Sequence, residues 1–218
     1  MSPLQVTLCI VVLLSPLTGL QARIGDTPEQ LLARISANNA GRSLGAMRNL
    51  EDREREQILR ESPIQQQLAL LPASEELQRI IYWKHAGRPN SARDDGWRLH
   101  AYFLRGRSVA EVYHRVGQSL SDAEVRALLG LMRGERFWNR VPQAQRGSSV
   151  IGYEYELGDP DTPLLRARRE RNFFIVFDKR LDDRLLELRA VVEEEARAQR
   201  AAQQELQERA APSSVEGF

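Results

Sequence analysis

A single cysteine, Cys9, occurs in the 218 residues, which excludes an internal disulfide and any cysteine-rich metal site. The three histidines, His85, His100 and His114, show no His-x-His or His-x-x-x-His spacing, so no metal site is expected. Charge of one sign is not in excess. Lys+Arg 31 against Asp+Glu 30 gives a formal net charge of +1, too weak a field for a dedicated nucleic-acid binder. Neither Gly-x-Gly-x-x-Gly nor a Walker-type Gly-x-x-x-x-Gly-Lys occurs, so no cofactor held in a phosphate cradle is expected. Gly-x-Ser-x-Gly is missing as well, and Ser148 and Ser149 have no recognisable local base. Lys84 and Lys179 are the only lysines, so nearly every basic side chain is arginine, a bias that suggests a GC-rich bacterial genome.

What is present begins with an uncharged front end. Residues 1–22 carry no ionisable side chain apart from Cys9, and Leu8-Cys9-Ile10-Val11-Val12-Leu13-Leu14 form a compact apolar centre. Ser15, Pro16 and Gly19 break it, and Leu20-Gln21-Ala22 ends in a small residue. This is the layout of a secretory signal peptide over 1–22 with cleavage after Ala22, or after Gly19 as the second choice. The usual basic start is missing. The alternatives are a buried N-terminal helix or an uncleaved membrane anchor. The apolar stretch is at or below the roughly 18–20 residues a span needs. Cys9 lies mid-way in the apolar centre, so the released protein would hold no thiol.

Behind the leader, Thr27 or Asp26 caps a helix that starts at Pro28, carries Leu31, Leu32 and Ile35 on one face, and ends at Asn38-Asn39-Ala40-Gly41. The stretch Arg23-Ile24-Gly25-Asp26-Thr27-Pro28-Glu29-Gln30-Leu31 resembles the mature start of many small exported bacterial proteins without an assigned function. It is similar, too, to the Gly-x-Thr-x-x-x-Val/Leu helix opening of small envelope domains, such as the small lipoprotein of outer-membrane barrel assembly. Those domains continue with Gly-x-Pro and carry a lipid-bearing cysteine, and this chain has neither at the matching place. The resemblance implies an envelope location rather than an activity.

Residues 42–71 are polar and helix-prone, with Ile64, Leu68, Leu70 and Leu71 as a second apolar face between Pro63 and Pro72. Ile80-Ile81-Tyr82-Trp83 reads as a strand. Trp97–Leu104 and Ser108–Val116 read as a hairpin with Gly106-Arg107 in a type II′ turn. That register puts Trp97, Leu99, Ala101 and Phe103 on one face with Ala110, Val112 and Val116. Arg98, His100, Tyr102, Glu111, Tyr113 and Arg115 then share the other face, and His100 and His114 point apart. Ser121-Asp122-Ala123-Glu124 is a capping box before Val125, Leu128, Leu129 and Met132, with Gly134 as the stop. A second hairpin is expected, with Ser149–Leu157 as one strand, a turn at 158–163 and a return over Leu164–Phe177. A helix over Leu181–Ala210 closes the chain, with Leu181, Leu185, Leu188 and Val192 as its stripe and an Ala/Glu/Gln/Arg-rich second half.

The expected fold is α+β: a mostly antiparallel sheet of four or five strands with helices packed on one face, a helical N-terminal arm and a long C-terminal helix. The expected division is a signal peptide over 1–22, an arm over 23–72, an α+β domain over 73–192, and the extended helix end and loose tail over 193–218.

Two chemistries compete for the second hairpin. Arg166-Ala167-Arg168-Arg169-Glu170-Arg171 is the densest basic run, and opposite Tyr153 and Tyr155 it could bind an anion. The candidate binding residues are therefore Tyr153, Tyr155, Arg166, Arg168 and Arg169, against the alternative of a charged edge that blocks aggregation. Glu154, Glu156, Asp159 and Asp161 could supply paired carboxylates for a hydrolase, against the alternative that they meet arginines of the returning strand. Trp83, Trp97 and Trp138 read as core. No catalytic residue is assigned. The expected function is a non-enzymatic binding or interaction module, periplasmic or secreted. Its partners would be a protein or an anionic envelope component, with self-association through the C-terminal helix and membrane contact only through an uncleaved leader. The alternative is a hydrolase of an envelope polymer acting through Glu154, Glu156 or Asp161.

Overall fold

In the computed structural model the described residues are 24–37, 45–46, 60–84, 96–133, 136–159 and 162–210. The leader, His85, Asp161 and the tail lie outside them. Their elements run α1 (Pro28–Ala37), β1 (Gly45–Ala46), α2 (Gln65–Leu68), β2 (Leu77–Lys84), β3 (Trp97–Leu104), β4 (Arg107–Arg115), α3 (Asp122–Met132), β5 (Trp138–Arg140), a 3-10 turn (Gln143–Gln145), β6 (Tyr155–Asp159), β7 (Thr162–Glu170), β8 (Phe173–Asp178) and α4 (Lys179–Ala210). The strands form one antiparallel sheet of eight in the order β1-β2-β3-β4-β8-β7-β6-β5. The fold is α+β with a long C-terminal helix, and the sheet is larger than the four or five strands expected.

The extra strands have local causes. The return expected over Leu164–Phe177 is two strands, because Arg171 takes a φ of 49° and turns the chain between Glu170 and Phe173. Gly45–Ala46 and Trp138–Arg140 add a short strand at each edge. Edges this short offer few unpaired backbone groups to another sheet.

The first hairpin is one residue out of the expected register. Its turn is Arg105-Gly106, with φ of 51° and 72°. Two positive φ values make a type I′ turn, whose twist suits the flanking strands. A bulge follows between Tyr102 and Phe103. Because side chains alternate with period two, the one-residue shift exchanges faces. Ala101 stands opposite Glu111 and Leu99 opposite Tyr113, while Tyr102 stands opposite Ala110, His100 opposite Val112, and Arg98 opposite His114. His100 and His114 therefore share a face.

Both faces of the sheet are covered, where helices on one face were expected. On one side, Leu31 of α1 packs with Tyr82, Leu99, Ala101 and Phe103, and Val125, Leu128 and Met132 of α3 pack with Ala167, Phe174 and Val176. On the other side, Ile64 and Leu68 at α2 and Leu181 and Leu185 of α4 meet Tyr102, Val112, Ile175 and Phe177. The stretch read as an arm thus contributes Leu31, Ile64 and Leu68 to the interior.

The order of elements repeats. A capped helix, a short edge strand, a helical turn and three longer strands occur as α1 to β4 and again as α3 to β8, and the two sets meet at β4 and β8. Both capping boxes are formed. Thr27 and Gln30 exchange backbone-to-side-chain bonds at α1, as Ser121 and Glu124 do at α3.

The polar fastening of α1 is buried. The Arg34 guanidinium donates to Glu111 Oε1 at 2.7 Å and to Asp26 Oδ2 at 2.9 Å, and Tyr113 donates its hydroxyl to Glu111 Oε2 at 2.6 Å. Glu111 is fully buried in the centre of the sheet. Burial raises its pKa, and Arg34 and Tyr113 oppose that shift by hydrogen bonding the carboxylate.

Removing one partner of this pair strands a buried charge. Arg34→Met is expected to destabilise the fold by about 3–5 kcal/mol in urea denaturation. Adding Glu111→Leu to it should return most of that loss, because no lone charge then remains in the interior. Equal instability of the single and double variants would contradict this account.

Candidate functional site

The five residues proposed for anion binding fall on two faces. Arg166 and Arg168 share the α4 side with Phe177 and Ile175, and Arg169 projects to the α3 side beside Phe174. Tyr155 stands opposite Ala167, also on the α3 side, and packs there. Tyr153 is buried on the α4 side. The sheet's alternation therefore brings Tyr153 and Arg166 together and separates them from Tyr155 and Arg169.

Tyr153 and Arg166 belong to a closed network. The Arg166 guanidinium lies 4.0 Å from the centroid of the Tyr153 ring. It donates to Asp182 Oδ2 at 2.7 Å and to Glu156 Oε1 at 3.0 Å. Burial alone would lower the Arg166 pKa, but hydrogen bonds to Asp182 and Glu156 outweigh it and the pKa rises. Asp182, in the first turn of α4, accepts from the backbone N–H groups of Val150 and Ile151 at 2.9 and 3.0 Å through its other oxygen. The Tyr153 hydroxyl accepts from the Gly147 N–H at 2.8 Å. Arg166 and Asp182 are buried, and both Asp182 oxygens are engaged. What the cluster does is tie the 147–153 loop and the start of α4 to the sheet.

The other two arginines are engaged as well. Arg168 pairs with Glu170 at 2.8 Å. Arg169 pairs with Asp122 at 2.6 Å and donates to the Leu120 carbonyl, which joins β7 to the N-terminus of α3. Of the carboxylates weighed for hydrolysis, Glu156 is committed to Arg166 and Glu154 is half-buried with its backbone N–H on the Ala167 carbonyl. Asp161 lies outside the described residues. Among the described residues no group of three or more His, Cys, Asp or Glu side chains stands where it could hold a metal ion.

His100 is a different case. It is fully buried on the α2 and α4 side, and among the described residues neither ring nitrogen has a hydrogen-bond partner. Burial, then Arg79, His114 and Arg98, push its pKa down to about 3. The segment above this part of the sheet is fixed by Tyr102 donating to Ser62 at 2.6 Å, Arg79 to Gln65 at 2.6 Å and Arg98 to Glu61 at 2.8 Å. A neutral imidazole is enclosed there as a packing element.

Two features of the surface remain. Beside β5, Phe137 is exposed, with the Arg133 guanidinium 5.9 Å from its ring centroid. The larger feature is α4. At 32 residues it runs about 48 Å. Leu181, Asp182 and Leu185 are buried, whereas Val191, Val192 and Leu206 are 52%, 51% and 65% exposed. Pairs along the helix, Arg189 with Glu193 and Arg209 with Glu205, support the part that the body does not cover.

The residues that sequence reading missed are Arg34, Glu111 and Asp182. The one signal was a charged residue at Glu111 inside an otherwise apolar alternation. The chain matches no protein-family model, no curated protein and no solved structure.

The buried imidazole sets a pH dependence. From pH 6.5 down to about 3 the unfolded chain holds a proton on His100 that the folded chain does not. Stability should therefore fall on acidification through that window, by up to about 1.4 kcal/mol per pH unit from this group. In His100→Leu that contribution vanishes. The stability gap between the variant and the parent should widen from about pH 7 to about pH 4 in urea denaturation. A gap that stays constant across that range would sink the assignment.

Proposed function

We propose that the chain is an exported, non-enzymatic interaction module of the bacterial envelope or exterior, and that the outer half of α4 is its contact element. The single observation that carries this reading is the contrast between α4 and the body. Both faces of the sheet are covered, and the polar clusters around Arg34 and Arg166 are satisfied internally. Beyond Leu185, α4 presents Val191, Val192 and Leu206 to solvent. The body leaves that stripe open, and a contact along it supplies the cover that the body does not.

Export is supported at the other end. Ser108 accepts from the Gly25 N–H at its carbonyl and its hydroxyl, and the Ser108 N–H donates to the Asp26 carbonyl at 2.8 Å. The body thus engages the chain from Gly25 onward, and a cut after Ala22 would leave every one of these bonds in place. An arginine-rich, otherwise cysteine-free chain behind an uncharged apolar leader fits that route.

Two measurements check the reading. Mass spectrometry of the protein from its native cells should find Arg23 as the first residue, in a periplasmic or culture-fluid fraction. Intact Met1 on a cytosolic product would remove the export reading. Ending the chain at Val192 should change folding stability by no more than about 0.5 kcal/mol, since Leu181, Asp182 and Leu185 are kept. In the full-length protein, a photoreactive group at position 206 should give cross-links in cells. If position 206 gives no adduct in the full-length protein, α4 is not the contact element.

A further inference from the structure

We infer that the outer face of α4 is occupied by α4 of a second copy of this chain, in antiparallel pairing. The inference rests on the reading of α4 as the contact element and names its partner. At roughly 100° per residue, Leu181, Leu185, Leu188, Val192, Gln199 and Leu206 fall within one sector of about 60°. The first two are buried by the sheet, Leu188 is half-buried at its margin, and the stripe runs on exposed from Val192 to Leu206.

Reversed, the stripe matches itself without setting like charges together. With a twofold axis at Arg197, Leu188 stands opposite Leu206 of the second copy, Val192 opposite Ala202, and Glu195 opposite Gln199. Apolar layers then close both ends, and a polar layer at the centre fixes the register. Ala196 and Ala202 flank that centre and let the two backbones approach.

Charge agrees with the same register. Glu193 and Arg200 lie on one flank of the stripe, and reversal places Glu193 beside Arg200 of the second copy, twice by symmetry. Among the described residues Arg200 makes no ion pair, and Glu193 has only Arg189 at 3.6 Å. On that flank Arg189 meets Gln203 and Gln207 of the second copy rather than another cation. A parallel arrangement would set Glu195 on Glu195 and bring both sheets to the same end. The antiparallel one puts the two sheets at opposite ends of a contact about 27 Å long.

Two narrow stripes of that length make an interface at the small end of the specific range, so dissociation in the micromolar range is expected. The test is analytical ultracentrifugation of the purified protein from about 1 to about 300 µM. A reversible monomer–dimer equilibrium is expected. Leu206→Arg should weaken it at least tenfold, with far-UV circular dichroism and thermal unfolding of the body unchanged, because Leu206 is 65% exposed. Glu193→Arg and Arg200→Glu should each weaken the dimer severalfold, and the two together should restore it. A protein that stays monomeric to about 300 µM, or a double charge reversal that fails to restore what the single ones lose, overturns the inference. If a monomeric protein still gives adducts from position 206 in cells, the partner is another molecule and the contact role of α4 stands. If neither is seen, both fail.

Discussion

A sheet covered on both faces must find a partner for every charge that its strands carry inward. Here each covering layer brings that partner with it. Arg34 comes from α1 to Glu111 of β4, and Asp182 comes from α4 to Arg166 of β7. Arg34 stands in the last turn of α1 and Asp182 in the first turn of α4, and each pair is extended by a tyrosine: Tyr113 donates to Glu111, and Tyr153 lies under the Arg166 guanidinium. Two charges withdrawn from water gain little net stability from each other. Their effect is on placement, because a helix docked in the wrong register would leave a carboxylate or a guanidinium alone in the interior.

The same requirement accounts for where the polar residues of the basic run go. Alternation along β7 sends Arg166 and Arg168 to one layer and Arg169 to the other. Arg166 meets Asp182 of α4 and Arg169 meets Asp122 of α3, while Arg168 pairs with Glu170 two residues on in the same strand. A run that is continuous in the sequence is, in the sheet, two separate fastenings and one pair within the strand. The repeated order of elements works in the same direction. Each half covers one stretch of the sheet with a capped helix, and the halves close on each other at β4 and β8.

Much of this was legible before folding. The capping box at Ser121, Pro28 behind Thr27, and the Leu181, Leu185 stripe located three helices to within about two residues. Alternation located β2, β3 and β4. The register of the first hairpin was not legible, because Gly106 suits either a turn that begins with it or one that ends with it. The structure uses the latter, with Arg105 in the left-handed region. Moving the turn by one residue shifts the pairing by two and keeps the faces; the bulge between Tyr102 and Phe103, which no residue type announces, is what turns Glu111 rather than Val112 toward α1. The turn at Arg171 was hidden for a similar reason, since no glycine or proline marks it. The repeat was hidden because it is one of architecture: the halves share helix caps and strand order, while their loops differ in length and their residues are unlike.

What sets α4 apart is that nothing in the repeated plan calls for it. The element that follows β4 is α3, which opens the second half. After β8 comes α4, and only its first two turns are needed to bury Leu181 and Leu185 and to deliver Asp182 to Arg166. A helix kept only for those tasks could stop near Leu188. The chain continues for about six further turns. Through them it holds Val192 and Leu206 in line with the buried leucines while its other positions, Val191 apart, turn to Ala, Glu, Gln and Arg. Propensity and pairs along the helix explain how such a segment can be helical. They do not explain why Val192 and Leu206 keep the phase of Leu181 and Leu185. On the reading proposed above, a surface that keeps its phase with the core after leaving the core is one that a second copy covers, since the sheet is already filled on both faces.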